Sequence, residues 1–294
     1  MLLCVVGERP PRAYKAYKIT EDDTVVWGVT SLGDRIYVVC HESDVIAVFT
    51  SQQPFIHLAD IVVNGLKYPY DIAASVNVGC LYVPDPFSRA VWRVSVDNGA
   101  AVEWLTGLYS LSVSVTSEDK VVLLVVVDRQ GSVAERNVTW LGEVHVYSRD
   151  AVIETVITLS PDIRCPQSVV MTTRKTFIVS YDMPCQPVSR VCEVDMTGRE
   201  LKAFGGSSGP GVGQLDTPSC VSVDDEERII VADSYNNRVL MLNKQLTSPH
   251  VLVAWHPQSQ SDKADRPCTL HYDSHTCSLL VGLFSGHVDV YRLK

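Results

Sequence analysis

The residues with the most direct chemical potential are a serine in a glycine frame and a scatter of histidines and carboxylates. Gly205-Gly206-Ser207-Ser208-Gly209 satisfies G-x-S-x-G, the spacing that holds a nucleophilic serine on a sharp turn between a strand and a helix. Here "PGVGQLDTP" and another β-branched run follow, so the helix that such an elbow requires is missing. The same glycines lack the helix N-terminus that would complete a phosphate cradle, and the stretch reads as a flexible link. None of the eight histidines stands in an H-E-x-x-H pattern. A metal centre needs three or four convergent ligands, and His271 with Asp71, Asp224 and Asp273 are the residues a fold could bring together for it. Their spacing alone predicts neither a metal nor another cofactor, and no catalytic residue is assigned.

Binding chemistry is better represented. In "YVPDPFSRAVWR" (82–93), Phe87 and Arg89 sit in a polar turn, where an aromatic face and a guanidinium could meet a protein or stack on bases. Trp92 and Arg93 are adjacent in a strand and point to opposite sides, so they cannot serve one surface. The stretch "RQGSVAERNVTWLGEV" (129–144) reads as a long interstrand insertion with Trp140 as a large anchor, or as a loop whose Trp140 starts the next strand. "VADSYNNRVLML" (231–242) sets an apolar strand against a polar knot. Asp and Asn bond their own backbone in turns and tolerate left-handed conformations, so Asp233, Asn237 and Arg238 read as turn-building residues, as does Asp85 in the equivalent slot. Tyr235 and Asn236 at the turn's tip join Phe87, Arg89, Trp140 and Asp182 as candidate partner-binding residues.

These turns recur, and the recurrence identifies the elements that position them. Six windows repeat one plan of short strand, polar turn, more apolar second strand, loop and third strand. The second strands begin near Ile36, Leu81, Val121, Phe177, Ile229 and Leu279, at gaps of 45, 40, 56, 52 and 50 residues. That period suits the four-stranded blades of a radial β-propeller. The predicted fold is all-β, six blades at about 25–66, 69–106, 109–159, 166–204, 218–255 and 267–294. Only three residues follow Tyr291, so the last blade needs a strand from elsewhere, and one within residues 10–20 would close the ring. Pro69, Pro166, Pro218 and Pro267 open four windows, at the strand position where no ladder donor is lost.

Composition bounds the function. The 294 residues carry 25 Lys and Arg against 34 Asp and Glu, a formal net charge of −9, which disfavours affinity built mainly on neutralising phosphates. Nine cysteines with no C-x-x-C pair offer neither a zinc module nor an evident disulfide frame, and read as buried thiols of a cytoplasmic protein. The longest apolar run, "VVLLVVV" (121–127), is too short for a membrane helix and suits a strand buried on both faces, so no membrane partner is expected.

The fifth window with its approach, "FGGSSGPGVGQLDTPSCVSVDDEERIIVADSYNNRVLML" (204–242), resembles the NHL repeat: a Gly-rich loop, Gly-Gln, a Pro-started strand, a Val-Asp turn, a strand ending in Ala-Asp, then Asn-Asn-Arg-Val. The resemblance implies a six-bladed NHL propeller. In many animal proteins this domain follows RING, B-box and coiled-coil modules and binds proteins or RNA through one face. This chain has no RING-type Cys/His spacing, so no ubiquitin-ligase activity is expected of it alone. The reading is a non-enzymatic scaffold that binds a protein partner through one face. Single-stranded RNA binding is the second reading, and a metal-dependent hydrolase or lyase at the central channel the third.

Overall fold

The computed structural model describes residues 12–13, 17–18, 24–130, 139–183, 188–255 and 265–293. Six antiparallel sheets stand radially as the blades of a propeller. Blade 1 consists of Val26–Leu32, Arg35–Cys40, Val45–Thr50 and His57–Val62, and blade 2 of Ala73–Ser75, Cys80–Asp85, Ala90–Ser95 and Ala101–Thr106. Blade 3 is Ser110–Val115, Val121–Gln130, Thr139–Tyr147 and Ile153–Thr158; blade 4 is Pro166–Met171, Phe177–Met183, Val188–Val194 and Glu200–Ser207. Blade 5 is Pro218–Val223, Ile229–Asp233, Arg238–Leu242 and His250–Ala254. Blade 6 takes Pro267–Asp273, Ser278–Leu283 and His287–Arg292 from the C-terminus, and its outer position is filled by two short N-terminal pieces, Arg12–Ala13 and Tyr17–Lys18. Arg12 pairs with Arg292 and Tyr17 with Val288. The ring closes between chain ends, as the strand count requires.

The core is six cores. One apolar cluster fills each gap between neighbouring blades, including the closing gap, where Val26, Val29 and Val38 of blade 1 meet Leu280, Val288 and Val290 of blade 6. This explains the run at 121–127. Val121, Leu123 and Val125 face blade 2, while Val122 and Leu124 face blade 4, so a period-2 strand with both faces buried needs an apolar residue at every position. Outer strands have a partner on one edge only and are correspondingly exposed, as at Leu58, Val102 and Leu201.

Two sequence readings change. Residues 129–130 and 139–144 are not an insertion loop: the second and third strands of blade 3 extend, pairing Arg129 with Trp140 and Gln130 with Thr139, and residues 131–138 lie outside the described chain. Gly205, Gly206 and Ser207 belong to an outer strand, not to a flexible link. Pro166, Pro218 and Pro267 open their strands; Pro69 precedes its strand by four residues.

Candidate functional site: the link face and the central channel

Alternating strand direction puts the turns between second and third strands on the same face as the links between blades. We call this the link face, and all six candidate partner-binding residues stand in its turns or at the strand ends beside them. In blade 5 the turn is a single 3-10 turn, Ser234–Asn236, closed by Asn237 in the left-handed conformation with φ 50°. In blade 2 Arg89 holds the equivalent place with φ 54°. The residue two beyond the buried aspartate is therefore Phe87 in blade 2 and Tyr235 in blade 5, 61% and 56% exposed. Blade 6 presents Phe284 at 39%, and blade 1 His41, whose side chain is 39% accessible. Every second-to-third-strand turn among the described residues carries an aromatic ring. Phe284 and His41 were missed from sequence because their turns lack the Asp-led polar signature.

The rings do not stand alone. Phe87 lies 4.9 Å from Tyr68 and 6.3 Å from Tyr109, His41 lies 6.1 Å from Tyr68, and Trp27 stacks on Tyr70 at 4.7 Å. Tyr68, Tyr70 and Tyr109 come from the links before blades 2 and 3, so an aromatic track crosses three blades. On blade 5 the Arg266 guanidinium sits 4.3 Å above the Tyr235 ring, a cation–π contact.

The other three candidates are engaged internally. Trp140 packs on the core between blades 3 and 4 and donates its indole N–H to Pro166 O at 3.4 Å. Asp182 accepts from Ser189 Oγ at 2.7 Å and Thr217 Oγ1 at 3.3 Å, and burial raises its pKa. Asn236 donates to Gly209 O and to Asp233 Oδ2. Asp85 and Asp233 are fully buried latches. Asp85 accepts from the backbone N–H of Lys67, Tyr68 and Ser88; Asp233 accepts from Asp216 N, Asn236 Nδ2 and Arg238 Nε. Arg238 goes on to Pro210 O and Gln214 O, each at 2.9 Å, which ties down the glycine-rich link.

The channel is lined by the inner strands and encloses about 170 Å³. At the third inner position, the side chain in four blades accepts the backbone N–H of the next blade. Val113 N donates to Asp71 Oδ2 at 3.0 Å, Val169 N to Ser112 Oγ at 3.4 Å, Val221 N to Ser168 Oγ at 3.3 Å, and Leu270 N to Cys220 Sγ at 3.4 Å. Blade 1 has Gly28 there. A Cβ at Gly28 would lie 2.8 Å from Ile72 N, so no side chain can reach that N–H, and Asp71 Oδ1 accepts it at 2.8 Å instead. Asp71 thus serves two blades. Burial raises its carboxyl to about 7, against the pull of these hydrogen bonds. Burial also lowers His271 to about 4, and its Nε2 lies 2.9 Å from Ser31 Oγ.

This collar holds one carboxylate, one neutral imidazole and several hydroxyls. Among the described residues, no three His, Cys, Asp or Glu side chains gather where they could hold a metal ion. Asp224 accepts from Arg228 Nε at 2.5 Å, and Asp273 caps the backbone of His275 and Thr276. Ser207 Oγ accepts from Gln214 Nε2 at 3.0 Å. Among the described cysteines Cys40, Cys80, Cys192, Cys220 and Cys268 are buried free thiols, Cys165 is also buried, and Cys277 is exposed. No helix among the described residues is long and apolar enough to cross a membrane.

With this geometry the class of the protein is defined: it is a six-bladed β-propeller whose fifth blade carries an NHL repeat. The NHL family model matches residues 215–240. No curated protein matches the sequence. Among solved structures, a catalytically inactive virginiamycin B lyase from Staphylococcus aureus, determined with quinupristin, is similar at 10% identity and TM-score 0.62, over 95% of this chain and 99% of that one. The WD40 β-propeller domain of Doa1 is similar at 11% identity and TM-score 0.63, over 98% and 97%. A chain of the nidogen/laminin complex is similar at 12% identity and TM-score 0.56, over 77% and 79%. At these identities the likeness is one of fold.

Proposed function

We propose that the protein is a non-enzymatic, cytoplasmic scaffold that docks a protein partner on its link face. The observation that carries this reading is the aromatic residue at the tip of each described turn, with Phe87, Tyr235 and Phe284 exposed on a rigid ring. Aromatic side chains bring large contact area with little rotamer entropy, and a fold that needed only tight turns would have no use for them there. Phe87, Arg89 and Tyr235 are the primary contacts, while Trp140, Asp182 and Asn236 hold the surface in shape. The propeller neighbours named for a nidogen/laminin complex agree with a binding role for this architecture. The buried thiols support a reducing compartment.

The test compares Phe87→Ser/Tyr235→Ser/Phe284→Ser with a control on the opposite face, Val76→Ser/Val78→Ser, by in-cell crosslinking and mass spectrometry. Partners should vanish with the first and persist with the second. An unchanged set of partners in the first would end the proposal.

RNA is the second reading, because Arg89 neighbours Phe87 and Arg266 covers Tyr235 on the same face. A random single-stranded pool titrated against salt separates the two. Affinity whose logarithm falls linearly with log salt favours RNA, and no binding at low salt favours protein. The lyase fold likeness supports catalysis less than the channel geometry opposes it, since His271 meets a serine and not a second ligand.

A further inference from the structure

A large cleft lies away from both the aromatic tips and the channel. It measures about 880 Å³, within the range of ligand pockets, and opens between blades 3 and 4. Ser160, Asp162, Ile163 and Arg164 of the link form one wall. Tyr181, Met183, Val188 and Arg190 of blade 4 form another, and Arg199, Glu200, Gly206 and Ser207 of its outer strand and the turn before it complete the lining.

Three guanidinium groups enter this space against two carboxylates. Their bonding within the chain is loose. Arg190 reaches Tyr181 OH at 3.3 Å and Glu200 Oε1 at 3.4 Å, and its buried Nε has no partner. Arg199 meets Asp195 at 3.6 Å, and Arg164 gives its Nε to Pro161 O at 3.2 Å. Ile163, Met183 and Val188 supply apolar wall beside the charges. The two glycines of the outer strand have different reasons to be there. Gly205 has φ +98° and a Cβ on it would lie 2.4 Å from Ser189 O, so the backbone requires glycine. A Cβ at Gly206 would meet nothing within 4 Å, and its φ is not left-handed. Neither strain nor crowding demands glycine at 206; what its absent side chain does is leave the cleft open.

We infer that this cleft binds a carboxylate carried on a short apolar body. A guanidinium fork matches a carboxylate, and Arg164, Arg190 and Arg199 bring three guanidinium groups to the lining. One net positive charge among the lining residues suits a monoanion; a dianionic phosphate would leave uncompensated negative charge beside Asp162 and Glu200. The carboxylate could be a peptide C-terminus or a free organic acid. This inference does not rest on the aromatic tips, and either can fail alone.

The probes are hexanoate, hexanamide, hexyl phosphate and N-acetylleucine, each titrated onto the full chain by saturation-transfer NMR up to about 10 mM, which detects dissociation constants near ~1 mM. Hexanoate or N-acetylleucine should bind at least about tenfold more tightly than hexanamide, a gap of about 1.4 kcal/mol. Preference for N-acetylleucine points to a peptide terminus and preference for hexanoate to a free acid. Gly206→Leu narrows the cleft while leaving every charged residue in the sequence, and Arg190→Gln removes a fork; each should weaken binding about tenfold or more with the aromatic-face partners retained. Binding of hexanamide equal to hexanoate, tighter binding of hexyl phosphate, retained affinity in both variants, or no binding of any probe would each overturn the inference.

Discussion

Blades 2 and 5 build the same turn with different polar chemistry. In both, a buried aspartate ends the second strand, a left-handed residue closes the turn, and an N–H bonds back three residues, Arg89 to Pro86 and Asn237 to Ser234. The difference lies in what the aspartate holds. Ahead of blade 2, Pro69 stands seven residues beyond the outer strand, and the backbone N–H groups just before it, Lys67 and Tyr68, reach Asp85. Ahead of blade 5, Pro218 stands eleven residues beyond the outer strand, and the carbonyls of Pro210 and Gln214 need a side chain with reach. Arg238 supplies it, oriented by Asp233. The arginine of the NHL signature is therefore present in blade 5, where link carbonyls take its N–H groups, and absent from blade 2, where backbone N–H groups reach the aspartate directly. The aromatic tip survives in both because it takes no part in either latch.

The sharpest way to break this comparison is Asp233→Ala. It strands the largely buried Arg238, and the expected loss is about 3–5 kcal/mol in a denaturant titration, with proteolysis appearing within 208–217. A loss below about 1 kcal/mol would show that Arg238 does not depend on its partner. Blade 2 adds a pH effect through Asp71. Its folded pKa of about 7 lies above the unfolded value of 3.8, so the folded state binds more protons between these values and stability falls as pH rises through that window. The fall is up to about 4 kcal/mol, reduced by whatever water enters the channel, and Asp71→Asn should flatten it in thermal melts at about pH 4.5 to 7.5. A slope unchanged in the variant would place the titration elsewhere.

Asp85→Ala removes an acceptor from backbone donors and orphans no charge, so about 1–3 kcal/mol is expected, less than at Asp233. Arg89→Gly should be neutral or stabilising by up to about 1 kcal/mol, since glycine adopts the left-handed conformation freely. Destabilisation beyond that would mean the Arg89 side chain is structural after all. Phe87→Ala and Tyr235→Ala should each change stability by less than about 0.5 kcal/mol, yet reduce partner capture. Equal effects on stability and capture would erase the distinction between latch and tip.

Much of this was legible beforehand. Second strands starting at Arg35, Cys80, Val121, Phe177, Ile229 and Ser278 fall within one residue of the sequence-derived positions, because apolar runs bounded by polar turns are local signals. The exposure of the candidate residues Phe87 and Tyr235 was legible, because an aromatic stands there in a polar turn that cannot bury it. It was not legible at Phe284, whose turn has no leading Asp, or at Tyr68, which lies in a link; of the two readings of Trp140, the paired strands bear out the one in which it starts the third strand.

The sequence by itself determined the number of blades, the alternation within them and the closure by the N-terminus. Each follows from period-2 burial and from the need to cover a sheet edge, which depend only on residue order. Tertiary structure alone decided that Gly28 obliges Asp71 to serve two blades, that Arg238 holds a link, and that Gly206 leaves an arginine-lined cleft open. Those outcomes depend on distances between residues far apart in the chain, and no local pattern encodes what a missing side chain leaves for its neighbour to do.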